Sequence, residues 1–443
     1  MSHQFDAIVI GGGLAGLRAA RDLGDAGKSV LVLEAQDRLG GRVYYDRFAD
    51  TDTFVEYGGG WINLNFHSLV AGEVERYSLP TGPSQEASGP SQQEGESAFR
   101  WLSLGGIRTG ASPVPVEDLA DMERGLHRCI QAAERIEFGK PWDEQDIADL
   151  DISWKQFVGE MRLRASVEEF FLTWPWSSDA ADTNALDLLA WVAGFDNSVW
   201  RVYGESMIDR LINGTKSLVD ALAADSDADI RLGSPVASVE QNDEDVTVTT
   251  RSGESFTGRS AVVAAPVNVW SDVTFAPPLS APKREVSAEP HPGRAVKVWA
   301  LLENVPDEGV SGWGFGQGCN WFFRYSRLPE GDLYVGFSGG YDLDVTDVEA
   351  VQRAARVFAP EARVIKVDAH DWRANEFFKG TPLIHRPGEA RRYFSALADR
   401  EGRVLFAGSD VAFGWNGWMD GALESGARAA REVLEIVEAA VEA

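Results

Sequence analysis

The stretch Phe5-Asp6-Ala7-Ile8-Val9-Ile10-Gly11-Gly12-Gly13-Leu14-Ala15-Gly16 decides the fold. A short apolar run, Phe5 to Ile10, passes straight into a glycine turn. Leu14 to Ala26 then carries Ala15, Ala19 and Leu23 at helical spacing, with Gly16 and Ala20 beside them. Gly27 stands where a helix C-cap belongs. Val30 to Leu33 is a continuous apolar run, as expected of a parallel strand buried on both faces. Strand, turn, helix and strand make a Rossmann-type βαβ unit, and Gly11-x-Gly13-x-x-Gly16 is its dinucleotide fingerprint. Gly11 permits the tight turn, Gly13 leaves room for a pyrophosphate, and Gly16 lets the helix pack on the strand. The helix N-terminus at Leu14 and Ala15 favours negative charge. Glu34, 18 positions after Gly16 and next to Ala35, closes the second strand. Its carboxylate can accept hydrogen bonds from ribose hydroxyls and would repel a 2′-phosphate, which disfavours NADP.

The chain has 443 residues, enough for two domains, and 44% of them are hydrophobic. Its 15 Trp residues fit either core packing or an aromatic-lined ligand pocket. The 69 acidic residues against 41 basic ones give a formal charge of −28, which argues against nucleic acid and anionic membranes as partners. That charge would attract a cationic substrate, although it also serves plain solubility. Cys129 and Cys319 are isolated and six His are scattered, so neither a disulfide framework nor a metal site is expected. No signal peptide precedes the first strand, and no apolar run reaches the roughly 18 residues a bilayer needs. The expectation is a soluble, cytoplasmic protein.

Farther along, Pro80 to Gly95 is polar and reads as a loop or lid. Helical patterns dominate from Val116 to Leu222, including a Trp-rich piece around Trp174, Trp176 and Trp191. Short β-like runs follow from Ile230, with Ser252-Gly253 as a turn and a strand from Ala261 to Ala265. A second β-rich stretch spans Ala295 to Phe337, then a helix from Val345 to Phe358. Val404 to Ala407 reads as a strand leading through Gly408 into a final helix. Such alternation predicts two interleaved domains. Segments 1–78, 223–287 and 393–443 would form the Rossmann-type part. Segments 79–222 (helical) and 288–392 (β-rich) would form an α+β substrate-binding part.

Arg38-Leu39-Gly40-Gly41-Arg42 separates FAD from NAD as the ligand. Its two glycines let the chain fold back over a cofactor, and Arg42 can pair with a pyrophosphate. With Glu34 and Ala35 it resembles the FAD-containing amine oxidase family, which includes monoamine, polyamine and L-amino-acid oxidases. Gly58-Gly59-Gly60-Trp61 matches the family's glycine run beside the isoalloxazine ring. Further matches lie at Asn213 to Leu218, Ala264-Ala265-Pro266, and Phe275-x-Pro277-Pro278-Leu279. The resemblance also places Val236 against the adenine side. Leu405 to Asp410 and Trp415 to Ala422 resemble its C-terminal flavin motif. There Gly408 marks the turn, and Asp410 stands where the family's glutamate holds the ribityl chain. The helix that starts near Met419 and runs through Ala422 points its N-terminus at the flavin pyrimidine, where it would stabilise reduced flavin.

Lys297 lies in Ala295-Val296-Lys297-Val298-Trp299-Ala300, where strand alternation puts it on one face with Trp299 and Leu301. The resemblance makes Lys297 the catalytic candidate, bound through water to flavin N5. Trp418 matches one wall of an aromatic cage, with a role in both catalysis and cofactor contact, and Trp372 is a second aromatic candidate. Thr381 aligns with the cysteine that tethers FAD in the mammalian monoamine oxidases, and Pro382 with the second cage aromatic. Non-covalent FAD is therefore expected, with the missing substrate wall supplied by Trp321, Phe322 or Trp200.

The reading is a flavoprotein that oxidises a small primary or secondary amine to an imine and reduces O2 to H2O2. A homodimer is allowed for. An L-amino-acid oxidase stays open, with Arg201 or Arg324 to meet a carboxylate. A protoporphyrinogen-type oxidase or desaturase fits less well without a membrane-binding stretch. A flavin-free binding protein, as in the GDP-dissociation inhibitors, conflicts with the intact flavin motifs.

Overall fold

The computed structural model describes residues 4–84, 98–103, 106–109, 112–175, 177–306, 310–314, 319, 321–338 and 343–442. Most of the polar stretch after Ser84, and Trp176, lie outside the described residues. The fold is mixed α/β, built on two large sheets and a helical layer.

The first sheet grows from the apolar strands at the N-terminus. Phe5–Ile10 pairs in parallel with Val30–Leu33 on one side and Ser255–Val263 on the other. All four residues of Val30–Leu33 are buried, as the unbroken apolar run requires. Asp229–Arg231 extends the sheet beyond Val30–Leu33, also in parallel. The nine-residue strand Ser255–Val263 serves two neighbours along one edge. Its first half pairs antiparallel with Val246–Thr250, and its second half pairs in parallel with Val404–Phe406. Val236–Gln241 and Thr274–Ala276 complete the far side.

Helix Leu14–Asp25 buries its small-residue stripe against this sheet and against the final helix, Met419–Glu442. A Cβ at Gly426 would collide with the Ala15 carbonyl, so the two helices touch through backbone. The first helix stops where predicted, with Gly27 at φ +71° just past its end.

The second sheet runs Arg363–Ala369, Lys297–Glu303, Gly331–Phe337, Trp321–Leu328, Val310–Gly314, Ala98–Ser103 and Gly106–Thr109. Three of these strands have no counterpart in the sequence reading. Ala98–Ser103 and Gly106–Thr109 come from the chain before the helical region, and Val310–Gly314 takes up the former in parallel. Arg363–Ala369 interleaves Lys366 and Asp368 with its apolar residues, which hides its pattern. The helix expected from Val345 begins at Val348, because the Asp347 side chain caps it by accepting from the Glu349 N–H at 2.9 Å.

The helical layer includes Leu119–Ala133, Trp154–Glu160, Ala165–Leu172, Ala185–Gly194 and Val199–Glu205. It encloses a core rich in tryptophan, with Trp101, Trp142, Trp154 and Trp174 in one cluster. Cys129 is buried in that core and Cys319 beneath the second sheet, and both are free thiols that burial pushes up. No helix among the described residues is long and apolar enough to cross a membrane. No group of His, Cys, Asp and Glu among them is placed to hold a metal.

One buried carboxylate joins the last helix to helix Ser68–Arg76. Asp420 Oδ1 accepts from the Leu69 and Val70 N–H groups, both at 2.8 Å, and so caps a helix distant in sequence. Burial pushes its pKa up to about 6, only partly offset by those two N–H donors. The folded state thus binds the proton more tightly than the unfolded chain, and stability is lost as pH rises from 3.8 through about 6. Asp420→Asn keeps the accepting oxygen without the charge. Its melting temperature should match the wild type below pH 4 and exceed it above pH 6 in a thermal-shift series. Asp420→Ala should lose about 1–2 kcal/mol at low pH, where the wild-type carboxyl is protonated, and the loss should shrink as pH rises and that carboxyl ionises.

Candidate active site

A cavity of about 360 Å³ opens where the parallel strands of the first sheet end and the second sheet begins. The glycine turn forms its floor. Gly11 has φ +111°, and a Cβ there would stand 3.0 Å from the Ala264 carbonyl group, so the turn tolerates no side chain. A Cβ on Gly16 would strike the Gly11 carbonyl, which explains why this glycine packs instead of lining the cavity. At Gly13 the nearest atoms to a Cβ are 3.9 Å away, leaving the backbone open to a ligand at the start of helix Leu14–Asp25.

Glu34 closes the second strand at the cavity wall, buried and beside Ala35. Its carboxylate accepts from Gly12 N–H at 2.6 Å and Gln36 N–H at 2.8 Å. Burial raises its pKa, while these N–H donors hold it down in part. Val236 also lines this end, and so does Arg251, which is paired with Glu376 at 2.7 Å.

Arg42 reaches across the middle of the cavity. It donates two hydrogen bonds to the Asp410 carboxylate, at 2.8 and 3.0 Å, and one to Ser409 at 3.2 Å. Asp410 lies behind the wall and accepts from Leu383 N–H at 2.9 Å and Val267 N–H at 3.4 Å. Burial works against its charge, but Arg42 beside it and the Leu383 donor bring its pKa below the ordinary range. Gly408, at φ +143°, turns the chain out of the last strand toward this pair.

Gly58, Gly59, Gly60 and Trp61 cross the opposite wall. A Cβ at Gly58 would run into the Arg42 carbonyl, with Trp372 3.2 Å behind it. Trp372 is buried edge-on against His370 and Phe378 and lines the cavity at that point. Lys297 enters from the second sheet. Its Nζ donates to the Gly58 carbonyl at 2.6 Å and lies 4.0 Å from the Trp61 ring centre. The alternation expected of this strand holds, since Trp299 and Leu301 pack on one face with Val55, Tyr57 and Val335.

Trp418 follows Gly417, whose φ of +82° turns the chain beside Pro382. Met419 and Ala422, at the start of the last helix, line the cavity with Trp418. Thr381 and Pro382 form part of the same wall, and neither Cys129 nor Cys319 lines it.

The residues fit a flavin dinucleotide. An open glycine backbone at a helix N-terminus, a carboxylate closing the second strand, an arginine at mid-cavity and a second helix N-terminus at Met419 lie along one continuous space. A family model for flavin-containing amine oxidoreductases matches residues 14–434. The chain belongs to that family. Its cofactor is FAD, held without a covalent bond.

Among known members of the amine oxidoreductases, the chain is similar to (S)-6-hydroxynicotine oxidase of Paenarthrobacter nicotinovorans, at 33% identity over 97% of this chain and all of the relative. It is 29% identical to pseudooxynicotine dehydrogenase of a Pseudomonas species, over 98% of this chain and 87% of the relative. The solved structure of cyclohexylamine oxidase from Brevibacterium oxydans superposes with a TM-score of 0.84 at 23% identity, covering 98% of this chain and 99% of that one. Putrescine oxidase bound to putrescine superposes equally well, at 0.84 and 22% identity, over 97% and 99% of the two chains.

Not every sequence candidate reaches the cavity. Trp200 is 64% exposed, its ring lies 6.4 Å from that of Tyr203, and it does not line the cavity. Phe322 stacks on Tyr334 and Phe358 beneath the sheet, because strand alternation turns it away from Trp321. Trp321 lines a smaller chamber that continues from Trp418 and Trp191. Arg201, paired with Asp196 and lying over Phe66, lines neither space, and nor does Arg324, which meets Asp332 at 3.5 Å. The sequence reading missed Trp191, whose ring meets Trp418 edge-on at 5.6 Å. It also missed Asp187, a lining residue that holds His385 by Nδ1 at 2.7 Å and by its backbone N–H at 2.9 Å. That contact fixes the chain carrying Thr381 and Pro382 to helix Ala185–Gly194.

Arg42→Met would strand the Asp410 charge in the interior. Chemical denaturation of the FAD-free protein should show a loss of about 3–5 kcal/mol, beyond any effect on cofactor retention. An unchanged unfolding midpoint in FAD-free protein would reduce Arg42 to a cofactor contact.

Proposed function

We propose that the enzyme oxidises a small primary or secondary amine to its imine, which water converts to an aldehyde or ketone, while O2 is reduced to H2O2. FAD, which Gly13, Glu34, Arg42 and Met419 would hold along the cavity, would supply the two-electron chemistry that links amine oxidation to O2 reduction. The observation that carries this reading is Lys297, fixed by the Gly58 carbonyl and the Trp61 face in the same cavity that Trp418 lines.

The protein residues contribute position and environment. Trp418, Trp191 and Pro382 give the amine apolar walls that exclude bulk water and favour the neutral amine over the ammonium form. Lys297 Nζ is held rigidly at the wall, where it can order the water that attacks the imine carbon. Asp187, fixed by His385, keeps the Pro382 side of the wall in register. The formal charge of −28 raises the local concentration of cationic amine outside the site.

An amino-acid substrate needs a cation for its carboxylate. Among the described residues, the arginines that line the cavity are Arg42 and Arg251, each already paired with a carboxylate. That arrangement favours an amine without an α-carboxylate, and the names of the two relatives, both nicotine derivatives, support the same choice. A cytoplasmic enzyme accords with two buried free thiols, and a homodimer is part of the proposal.

Lys297→Met should purify yellow, with FAD retained, yet turn over about 100-fold more slowly when peroxide release is followed. Wild-type rates in that variant would remove Lys297 from the mechanism, and colourless wild-type protein would remove the flavin reading altogether.

A further inference from the structure

The small chamber beyond Trp418 holds buried hydrogen-bonding groups that the protein itself does not satisfy. Tyr203 Oη, Trp174 Nε1 and Trp418 Nε1 are all buried without a partner among the described residues. All three residues line this one chamber. Buried polar atoms are almost always paired, because a donor removed from water and left unmet is costly. Three such groups in a single cavity therefore mark a place where a ligand supplies the partner.

The chemistry of these groups defines that ligand. An indole N–H can only donate, and burial raises the Tyr203 phenol well above its ordinary range, keeping it a neutral donor. The surrounding surface is aromatic. Tyr203 lies 5.3 Å from Trp174 and 4.9 Å from Trp313, and Trp313 lies 4.7 Å from Trp321, measured between ring centres. Flat apolar walls of this kind suit a planar ring, which stacks or meets them edge-on. Trp191, Met207 and Trp418 line both this chamber and the main cavity, so the two spaces adjoin at these three side chains.

We infer that this chamber is the subsite for an aromatic ring bearing a hydrogen-bond acceptor, a ring nitrogen or a hydroxyl or carbonyl oxygen, whose attached amine extends past Trp418 toward Lys297. The inference rests on the amine-oxidation reading and narrows it: the substrate is an aryl-substituted amine, and Tyr203 and Trp174 determine specificity by donating to the acceptor. Linear diamines leave these donors unmet and are poor substrates.

The test compares 2-phenylethylamine with the three 2-(pyridyl)ethylamines, which differ from it by one ring nitrogen. Flavin bleaching without oxygen and steady-state peroxide release are followed with the holoenzyme. At least one pyridyl isomer should exceed the phenyl compound in kcat/KM by about tenfold or more, since a site built to hydrogen-bond its substrate rejects the analogue that lacks the group. Tyr203→Phe and Trp174→Phe should each shrink that advantage, raising KM for the preferred pyridyl isomer more than for 2-phenylethylamine. Bleaching by all four amines with no pyridyl preference would overturn the subsite and leave amine oxidation standing. Survival of the preference in the double variant would also overturn it. Bleaching by none of the four would overturn the subsite, and bleaching by other primary or secondary amines would then leave amine oxidation standing. The wild-type comparison decides the matter even where a variant fails to fold.

Discussion

The buried ion pair of Arg42 and Asp410 holds four distant parts of the chain around one cavity. Asp410 arrives from the end of the last strand, Arg42 from the turn after Val30–Leu33, Val267 from the end of Ser255–Val263, and Leu383 from the segment after Arg363–Ala369. A lone carboxylate in this interior would be very expensive. Two guanidinium bonds and two backbone N–H donors offset that cost only if all four segments are in place. Such a pair adds little net stability, but it specifies one arrangement of its neighbours. Thr381 and Pro382 lie next to Leu383, and Gly417 turns beside Pro382, so the wall that carries Trp418 inherits its position from the same pair.

Close backbone approach is the second constraint. Gly11 against Ala264, Gly16 against Gly11, Gly58 against Arg42 and Gly426 against Ala15 are all contacts that a single methyl group would break. They bring two helix N-termini, at Leu14 and Met419, to the same space, where their dipoles can act on a ligand's charge. The parallel strands end there too, as open α/β sheets generally arrange. The second sheet adds what the first lacks, a lysine on a strand whose other contacts are apolar.

How much of this could be read from the residues depended on how local each cause was. The βαβ unit, its glycine turn, Glu34 and the helix stop at Gly27 follow from spacing within a few turns of chain, and they were legible. Lys297 was legible only through the family resemblance, because alternation along its strand puts it on one face with Trp299 and Leu301 but does not tell a site lysine from a solvated one. The Arg42–Asp410 pair was not, because its partners stand 368 positions apart and each has an obvious alternative role toward a cofactor. The strands Ala98–Ser103 and Arg363–Ala369 escaped because they borrow their register from the sheet rather than from their own pattern. Trp200 and Trp321 looked equivalent as tryptophans, yet one lies on the solvent side of a short helix and the other at the chamber wall. Only packing tells them apart. Trp191 and Tyr203 were hidden within a tryptophan-rich stretch whose simplest explanation was the core, which most of its members do occupy.

The central claim is that this cavity holds FAD and delivers electrons to it from an amine that carries no α-carboxylate. The most direct measurement is anaerobic mixing of the yellow holoenzyme with matched pairs, each an amine and its α-carboxylated parent, while the flavin absorbance is followed. Loss of colour with the amine alone, reversed by air with release of H2O2, is the predicted result. Loss of colour only with the carboxylated partner would contradict it and make the protein an amino-acid oxidase.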